Sequence, residues 1–510
     1  MRHIVIAVAI GLVVSKGALA ATRFVAAGNP GQTAPFLTWG TAAATIQDAI
    51  DVSINGDTVL VSNGVYDVGG RAAPGHTLTN RVTIDRAVTV IGVNGPSVTT
   101  IQGQSPAGPT AVRCAYLTNG ASLAGFTLEG GHSRLADDGI CYTDTSGGGA
   151  FLDQGGLLSN CTVRLSSAHF GGGVFSISGR VANCSVENNS ALAPPAAGGG
   201  IYGVAGTVAE DCTVQGNTGS YGAGIFSDLL STFYACIVQN NQALQNAGGV
   251  FLASGRALNC RFLSNTANSR GGGAYCWTNG VLRNVLLSTN GAADGGGAFF
   301  DRGGTLENCT IAGNSATARA GGFSSWLVST AQNCIVVQNG APQEPNIGFV
   351  GFVDIFTYSC TAPAAVGDGN IFADPVFVDS TNSDYRLKSI SPCADVGTNA
   401  GWMASTLDLD GRPRVWINRA DMGAYEYNPP DLETDTDSDG VPDWWEWQYY
   451  AHVTNTPAGS DTDFDTMSSF EEWIAGTEPT NGASFFFVQS ARRTGSQFVV
   501  TWPSVDGRVY

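Results

Sequence analysis

Glycine clusters return along this chain at an interval of about 24 residues: GGGAF at 147–151, GGGVF at 171–175, GGGIY at 198–202, GAGIF at 222–226, AGGVF at 247–251, GGGAY at 271–275, GGGAF at 295–299 and AGGFS at 320–324. A period of this size belongs to architectures built by stacking one small unit on the next. A second column keeps the same interval: Cys161, Cys184, Cys212, Cys236, Cys260, Val285, Cys309 and Cys334. Two residues after each comes an apolar residue, Val163, Val186, Val214, Val238, Phe262, Leu287, Ile311 and Val336. Spacing by two is strand geometry and puts both columns on one face. Three residues further stand Ser166, Asn189, Asn217, Asn241, Asn265, Asn290, Asn314 and Asn339. Asparagine tolerates left-handed backbone, so this column reads as a ladder of turns.

Each unit is then a coil of short strands broken by Gly and Asn, and no coil can bury its apolar face until the next stacks on it. The expected fold is all-β, a right-handed parallel β-helix of about 24 residues per coil. A leucine-rich horseshoe would need a Leu-rich frame with helical stretches, and these segments are too short and glycine-rich. Asp57–Val61, Arg81–Ile84, Val88–Ile91 and Thr99–Gln102 extend the strand pattern upstream. Before them, Ile46, Ala49 and Ile50 share one face of a short helix over Thr45–Val52, suited to covering the open end of the stack.

The twelve cysteines would suggest a disulfide framework in an exported chain. Their column argues otherwise. Stacked coils lie about 4.8 Å apart with parallel Cβ directions, beyond the roughly 3.8 Å that a disulfide prefers. Buried free thiols are expected in the column, while Cys114, Cys141, Cys276, Cys360 and Cys393 fall outside it. Export is read from Met1 to Ala20: basic Arg2, an apolar run from Ile4 to Val14, and small residues at Ala18-Leu19-Ala20. That run is too short to span a bilayer, so no transmembrane segment is expected after cleavage.

The chain carries a net charge of −18, which argues against a nucleic-acid partner. The acid is concentrated: thirteen Asp or Glu and no Lys or Arg lie between Asp431 and Thr480. Residues 435–446 read DTDSDGVPDWWE, the spacing of a calcium loop. Asp435, Asp437 and Asp439 converge on one cation, Gly440 makes the turn, Val441 offers its carbonyl, Asp443 acts through water and Glu446 closes the site. A second copy supplies Asp461, Asp463, Asp465, Met467 by its carbonyl, Ser469 and Glu472. Thr466 stands where the turn glycine belongs, so this loop is expected to be weaker or more strained. Trp444, Trp445, Trp447, Phe470 and Trp473 at helical spacing argue against a merely solvated linker.

Three resemblances rest on these residues. The repeat of GGG-A/V/I-F/Y with F/V/I/L-x-x-N, clearest from Phe262 to Asn265 before GGGAY, resembles that of chlamydial polymorphic outer membrane proteins across residues 147–340. It implies a surface-displayed, adhesin-like β-helix. SPCADVG at 391–397, DLDGRPR at 408–414 and ADMGAYEY at 420–427 are similar to the close of the choice-of-anchor Q domain, which implies surface anchoring. The paired loops from Asp435 to Thr480 resemble thrombospondin type 3 and dockerin-like calcium repeats; Thr466 departs from that pattern.

The expected order is thus a signal peptide (1–20), a β-helix (21–428, closing over 391–428), a calcium module (429–482) and the start of a β-sandwich (483–510) that needs further C-terminal chain, through which anchoring would run. Two residues after each aromatic of the glycine motifs come Asp153, Ile177, Val204, Asp228, Ala253, Trp277, Asp301 and Trp326. Aspartate inside the solenoid is costly, so this column points outward. Alternation then turns Phe151, Phe175, Tyr202, Phe226, Phe251, Tyr275 and Phe299 outward as an exposed ladder; alternatively the strand ends at the aromatic, which packs inward. Trp277, Asp301 and Trp326 are the candidate ligand face, for a polysaccharide or a surface protein. The rival reading is a polysaccharide lyase or glycoside hydrolase. Acids three coils apart, about 14 Å, are too distant for a catalytic pair, and the loop Glu129–Ser146, with His132, Arg134, Asp137, Asp138 and Asp144, is the other place to look for one.

Overall fold

A computed structural model describes residues 20–134, 142–192, 195–349, 355–388, 390–415, 419–427, 435–450, 458–488, 490–494 and 497–502. Most of the export segment, together with Asp137, Asp138 and Cys141, lies outside the described residues. The chain winds as a right-handed parallel β-helix. Coil after coil adds strands to three sheets, of 23, 12 and 7 strands, in which successive coils pair in parallel. The largest forms two legs of the coil, joined where Ala274–Arg283 and Ala298–Glu307 run through both as ten-residue strands. The 12-stranded sheet begins at Gly64–Tyr66 and ends at Cys360–Thr361. Registry follows the glycine motifs: Phe151, Phe175, Tyr202, Phe226, Phe251, Tyr275 and Phe299 pair in succession.

The interior is one apolar column in which Val163, Val186, Val214, Val238, Phe262, Leu287, Ile311 and Val336 are fully buried. Burying each such side chain is worth about 1.5–3 kcal/mol. The cysteine column is buried beside it as free thiols. Each thiol hydrogen-bonds a carbonyl of its own coil, as from Cys212 to Glu210 at 3.1 Å.

The asparagine column forms a ladder, though for a different reason from the one the sequence suggests. The left-handed residue is the one before it: Leu165, Asn188, Gly216, Asn240, Ser264, Thr289, Gly313 and Gln338 have φ between 54° and 69°. That turn drives the next side chain inward, where Asn189, Asn217, Asn241, Asn265, Asn290, Asn314 and Asn339 are buried. Each amide donates to the carboxamide oxygen of the next coil at 2.9–3.1 Å. The facing glycine makes room for it. A Cβ on Gly200 would come within 2.6 Å of the Gly224 carbonyl and 3.0 Å of Asn217 Nδ2.

At the upstream end the helix Ile46–Asp51 is capped by Thr45, whose hydroxyl accepts from Asp48 N, and Ile46, Ala49 and Ile50 are buried on the stack. Downstream, residues 374–427 turn back along the flank of the 12-stranded sheet instead of adding coils. They bury Phe377, Tyr385, Leu387, Cys393, Leu409, Met422, Ala424 and Tyr425 on outward residues of the late coils, Leu286, Ala312, Ile335, Val337 and Cys360. Arg414, fully buried, pairs with Glu426 at 2.8 Å. Two short helices, Asp443–Tyr450 and Ser469–Ala475, belong to the acidic module. A hairpin of Ser490–Thr494 and Gln497–Thr501 follows, and Phe485, Phe487 and Val488 before it are exposed. Among the described residues no helix is long and apolar enough to cross a membrane.

Candidate metal centre and outer binding face

The two acidic loops share one backbone. In the first, Asp435 accepts from the backbone N–H of Asp439 at 3.0 Å and of Gly440 at 2.7 Å, and Val441 N donates to Asp439 at 2.9 Å. In the second, Asp461 accepts from Asp465 at 3.2 Å and Thr466 at 2.9 Å, and Met467 N donates to Asp465 at 2.8 Å. These bonds curl each loop so that one ligand atom from each of Asp435, Asp437 and Asp439 lies within 4.8 Å of the others, as for Asp461, Asp463 and Asp465.

Glu446 and Glu472, each on the helix that follows, are buried at 1% and 0% exposure. Neither oxygen of Glu446 has a hydrogen-bond partner; Asp439 Oδ2, Asp463 Oδ2, Asp465 Oδ2 and Glu472 Oε2 are also buried and unpartnered. Burial first, and then the loop carboxylates, push both glutamates up to about 7. Buried carboxylates without partners or countercharge are unstable unless protonated or bound to a cation. An all-oxygen set of this kind fits a hard divalent ion such as calcium.

Two residues that the spacing assigns as ligands are engaged elsewhere. Asp443 accepts from the backbone N–H and the hydroxyl of Thr436, bracing the first loop. Ser469 shares a hydrogen bond with Tyr450 at 2.8 Å and donates to the Ser460 carbonyl. The glycine difference is visible in the backbone: Gly440 has φ 94° and Thr466 is held at φ 84°. For a β-branched residue that region costs about 1–2 kcal/mol. Gly440 has a second reason to be small, since a Cβ there would meet Phe470 at 2.8 Å. Trp444 and Trp473 pack edge to face at 5.2 Å between the two helices.

On the solenoid, the aromatic ladder points away from the interior, as alternation predicts, but it is not exposed. Tyr116 extends it upstream, and its ring centroids lie 4.6–5.5 Å apart from coil to coil. Each ring therefore covers the faces of its neighbours. Phe170, Tyr221, Ala197 and Ala247 cover the edges, and Arg113 and Arg270 sit over Phe151 and Phe299 at 5.2 and 4.8 Å. Stacking between coils buries what strand alternation alone leaves open.

What remains open is the next column. Trp277 and Trp326 are 41% and 43% exposed and stand two coils apart, with Asp301 on the coil between. Asp301 accepts from Tyr275 Oη at 2.8 Å. Arg302 lies over Trp277 at 5.4 Å and Arg270 over Trp326 at 5.2 Å. Flat apolar rings with a carboxylate and guanidinium groups between them offer stacking and hydrogen bonding together. The registry leaves Asp153, Asp228 and Asp301 three coils apart.

The described part of the loop from Glu129 to Ser146 is occupied in holding the fold. Asp144, buried, accepts from the backbone N–H and the hydroxyl of Thr77 at 2.9 and 2.7 Å, and His76 Nδ1 stands 3.6 Å from its other oxygen. His132 Nδ1 lies 2.9 Å from the Gly130 carbonyl, and Arg134 donates to the Thr77 carbonyl. Sequence reasoning missed His76, and Arg113, which donates to Asn80, Gly147 and Ser146. Neither falls in a repeat column, so no periodic signal marks them.

Residues 117–290 match the family described as the right handed beta helix region. Together with the sheets this defines the class of the protein, a right-handed parallel β-helix. Among solved structures the chain is similar to pectate lyase Pel9A, at 12% identity over 81% of this chain and 97% of that one, with a TM-score of 0.41. It is also similar to a rhamnogalacturonan lyase, at 12% identity over 73% and 96% with a TM-score of 0.37. A third is the pectin methylesterase PemA from Erwinia chrysanthemi, at 12% over 64% and 93% with a TM-score of 0.31. Likeness at these levels carries no argument about activity. No curated protein sequence matches the chain.

Proposed function

We propose that this protein is an exported, surface-displayed β-helix that binds a polysaccharide or a surface-protein ligand, and that its acidic module is stiffened by calcium. The observation that carries the binding reading is the pair of half-exposed tryptophans, Trp277 and Trp326, flanking Asp301 on successive coils. Large aromatic rings are ordinarily covered, and those of the neighbouring column are. The two tryptophans are held by Arg302 and Arg270, so the face is preformed. Calcium is supported by the buried, unpartnered carboxylate oxygens of Glu446, Asp439, Glu472, Asp463 and Asp465. Its role is structural, since extracellular modules of this chemistry work with dissociation constants on the order of 0.1–1 mM.

The test is retention of the purified chain on a panel of neutral and acidic polysaccharides, with calcium and with chelator, scoring bound material and new chain ends. Retention without new ends, lost in the double variant Trp277→Ala/Trp326→Ala, is the expected result. New reducing or unsaturated ends would replace the binding reading with the lyase or hydrolase one.

A further inference from the structure

The cysteine column is internal and self-similar, but Cys360 does not belong to it. In the last coil Cys360 pairs in register with Ile335, not with the column residue Cys334. One residue of offset turns a strand side chain to the opposite face. Cys360 therefore leaves the solenoid interior and enters the cluster where residues 374–427 pack on the flank. There its thiol donates to the Ala373 carbonyl at 3.3 Å, and Cys393, the cysteine of the SPCADVG segment, is tied to the same stretch through Ser391, which accepts from Cys393 N at 3.1 Å and donates to the Pro375 carbonyl at 2.6 Å; both cysteines are fully buried in that one cluster.

The two cysteines come from segments that are not neighbouring strands. The inter-strand spacing that keeps column thiols from bonding does not apply to them. We propose that Cys360 and Cys393 are the site of a disulfide that staples the closing segment onto the last coil, while the column cysteines stay as thiols.

The chemistry is thiol–disulfide exchange with a small-molecule or protein disulfide as the oxidant. The Cys360 thiolate attacks one sulfur of the oxidant and displaces its partner as a thiolate, leaving a mixed disulfide. Cys393, losing its proton, then attacks the Cys360 sulfur and releases the second half of the oxidant. Two thiols are oxidised, the oxidant disulfide is reduced to two thiols, and the two protons pass to those products. Both sulfurs are inaccessible once the segment is seated. The bond therefore forms as residues 374–427 close and is shielded from reductants afterwards.

The test uses the full chain refolded in a mixture of oxidised and reduced glutathione, then denatured, alkylated and mapped by mass spectrometry. The expected result is one cross-linked peptide pair joining Cys360 to Cys393, with the other ten of the twelve cysteines alkylated. Alkylation of Cys360 and Cys393 as free thiols, or a cross-link between column cysteines in their place, would overturn the proposal. Limited proteolysis supplies a second reading. Closing the loop between them by a covalent bond should suppress cleavage within 374–427 by roughly a hundredfold relative to Cys393→Ser. Equal cleavage rates in the oxidised chain and the variant would rule out a staple.

Discussion

Asn241 and Glu446 are buried to the same 1% exposure, yet their polar atoms are treated in opposite ways. Asn241 donates to Asn265 at 2.9 Å and to the Val214 carbonyl at 3.0 Å, and accepts from Asn217 at 3.0 Å. Both oxygens of Glu446 lack a partner. Along the asparagine ladder the solenoid satisfies its buried amides coil by coil, each from the next. The acidic module concentrates carboxylates that only protons or a cation can satisfy. Residues 374–427 stand between these extremes, with Glu426 paired to Arg414 and accepting from Asp421 N, and Asp408 accepting from the backbone of Arg412 and Glu426. The contrast thus lies between buried amides that pair with one another and buried carboxylates that have no partner of opposite charge.

Four changes break or sharpen this contrast. Asn241→Ala takes the acceptor from the backbone and side-chain N–H groups of Asn217 and the donor from the Val214 carbonyl, and should cost about 3 kcal/mol of solenoid stability. Denaturant unfolding should give the same loss with calcium and with chelator. Gly440→Thr forces the left-handed strain of the second loop onto the first and drives a side chain into Phe470. It should cost about 2 kcal/mol, read as a lower melting temperature of the module in calcium and a loss of the tighter binding step in calorimetry.

Acidity should act on the closing segment. Burial raises Asp408 and Glu426 and lifts Asp421 to about 7. A carboxyl raised on folding contributes stability that is fully present below its unfolded value near 4 and is lost as pH rises through the folded value. Proteolysis within 374–427, measured with the cysteines kept reduced, should be roughly tenfold faster at pH 8 than at pH 5, about 1.4 kcal/mol. Smallest of all, Thr466→Gly should relieve about 1 kcal/mol of strain and tighten the second loop about fivefold, narrowing the gap between the two binding steps.

The repeat, the inward columns, the capping helix and both acidic loops could be read from spacing, because a solenoid and a tightly curled acidic loop each impose a fixed spacing. Other features depend on contacts between coils or segments, which a period does not encode. Strand alternation turned Phe175 and Phe251 outward, but only stacking on their neighbours buries them. The asparagines were legible as a turn, whereas the left-handed residue is their predecessor, which varies in type from Leu165 to Gly313. One signal was available and overlooked. The outward positions of the 12-stranded sheet change from Thr162, Arg164, Ser185 and Glu187 to Leu286, Ile335 and Val337, and that shift to apolar residues marks the flank that 374–427 covers. Asp443 and Ser469 match the ligand spacing, but they are engaged by Thr436, at a position the motif leaves open, and by Tyr450, beyond it.

Hydrogen exchange of the full chain at neutral pH, followed by mass spectrometry with calcium and with chelator, tests the contrast most directly. The account predicts that residues 435–450 and 458–476 gain protection only in calcium, while 58–361 exchange identically in both conditions. Equal protection of the acidic module without calcium, or calcium-dependent protection spread through the solenoid, would contradict it.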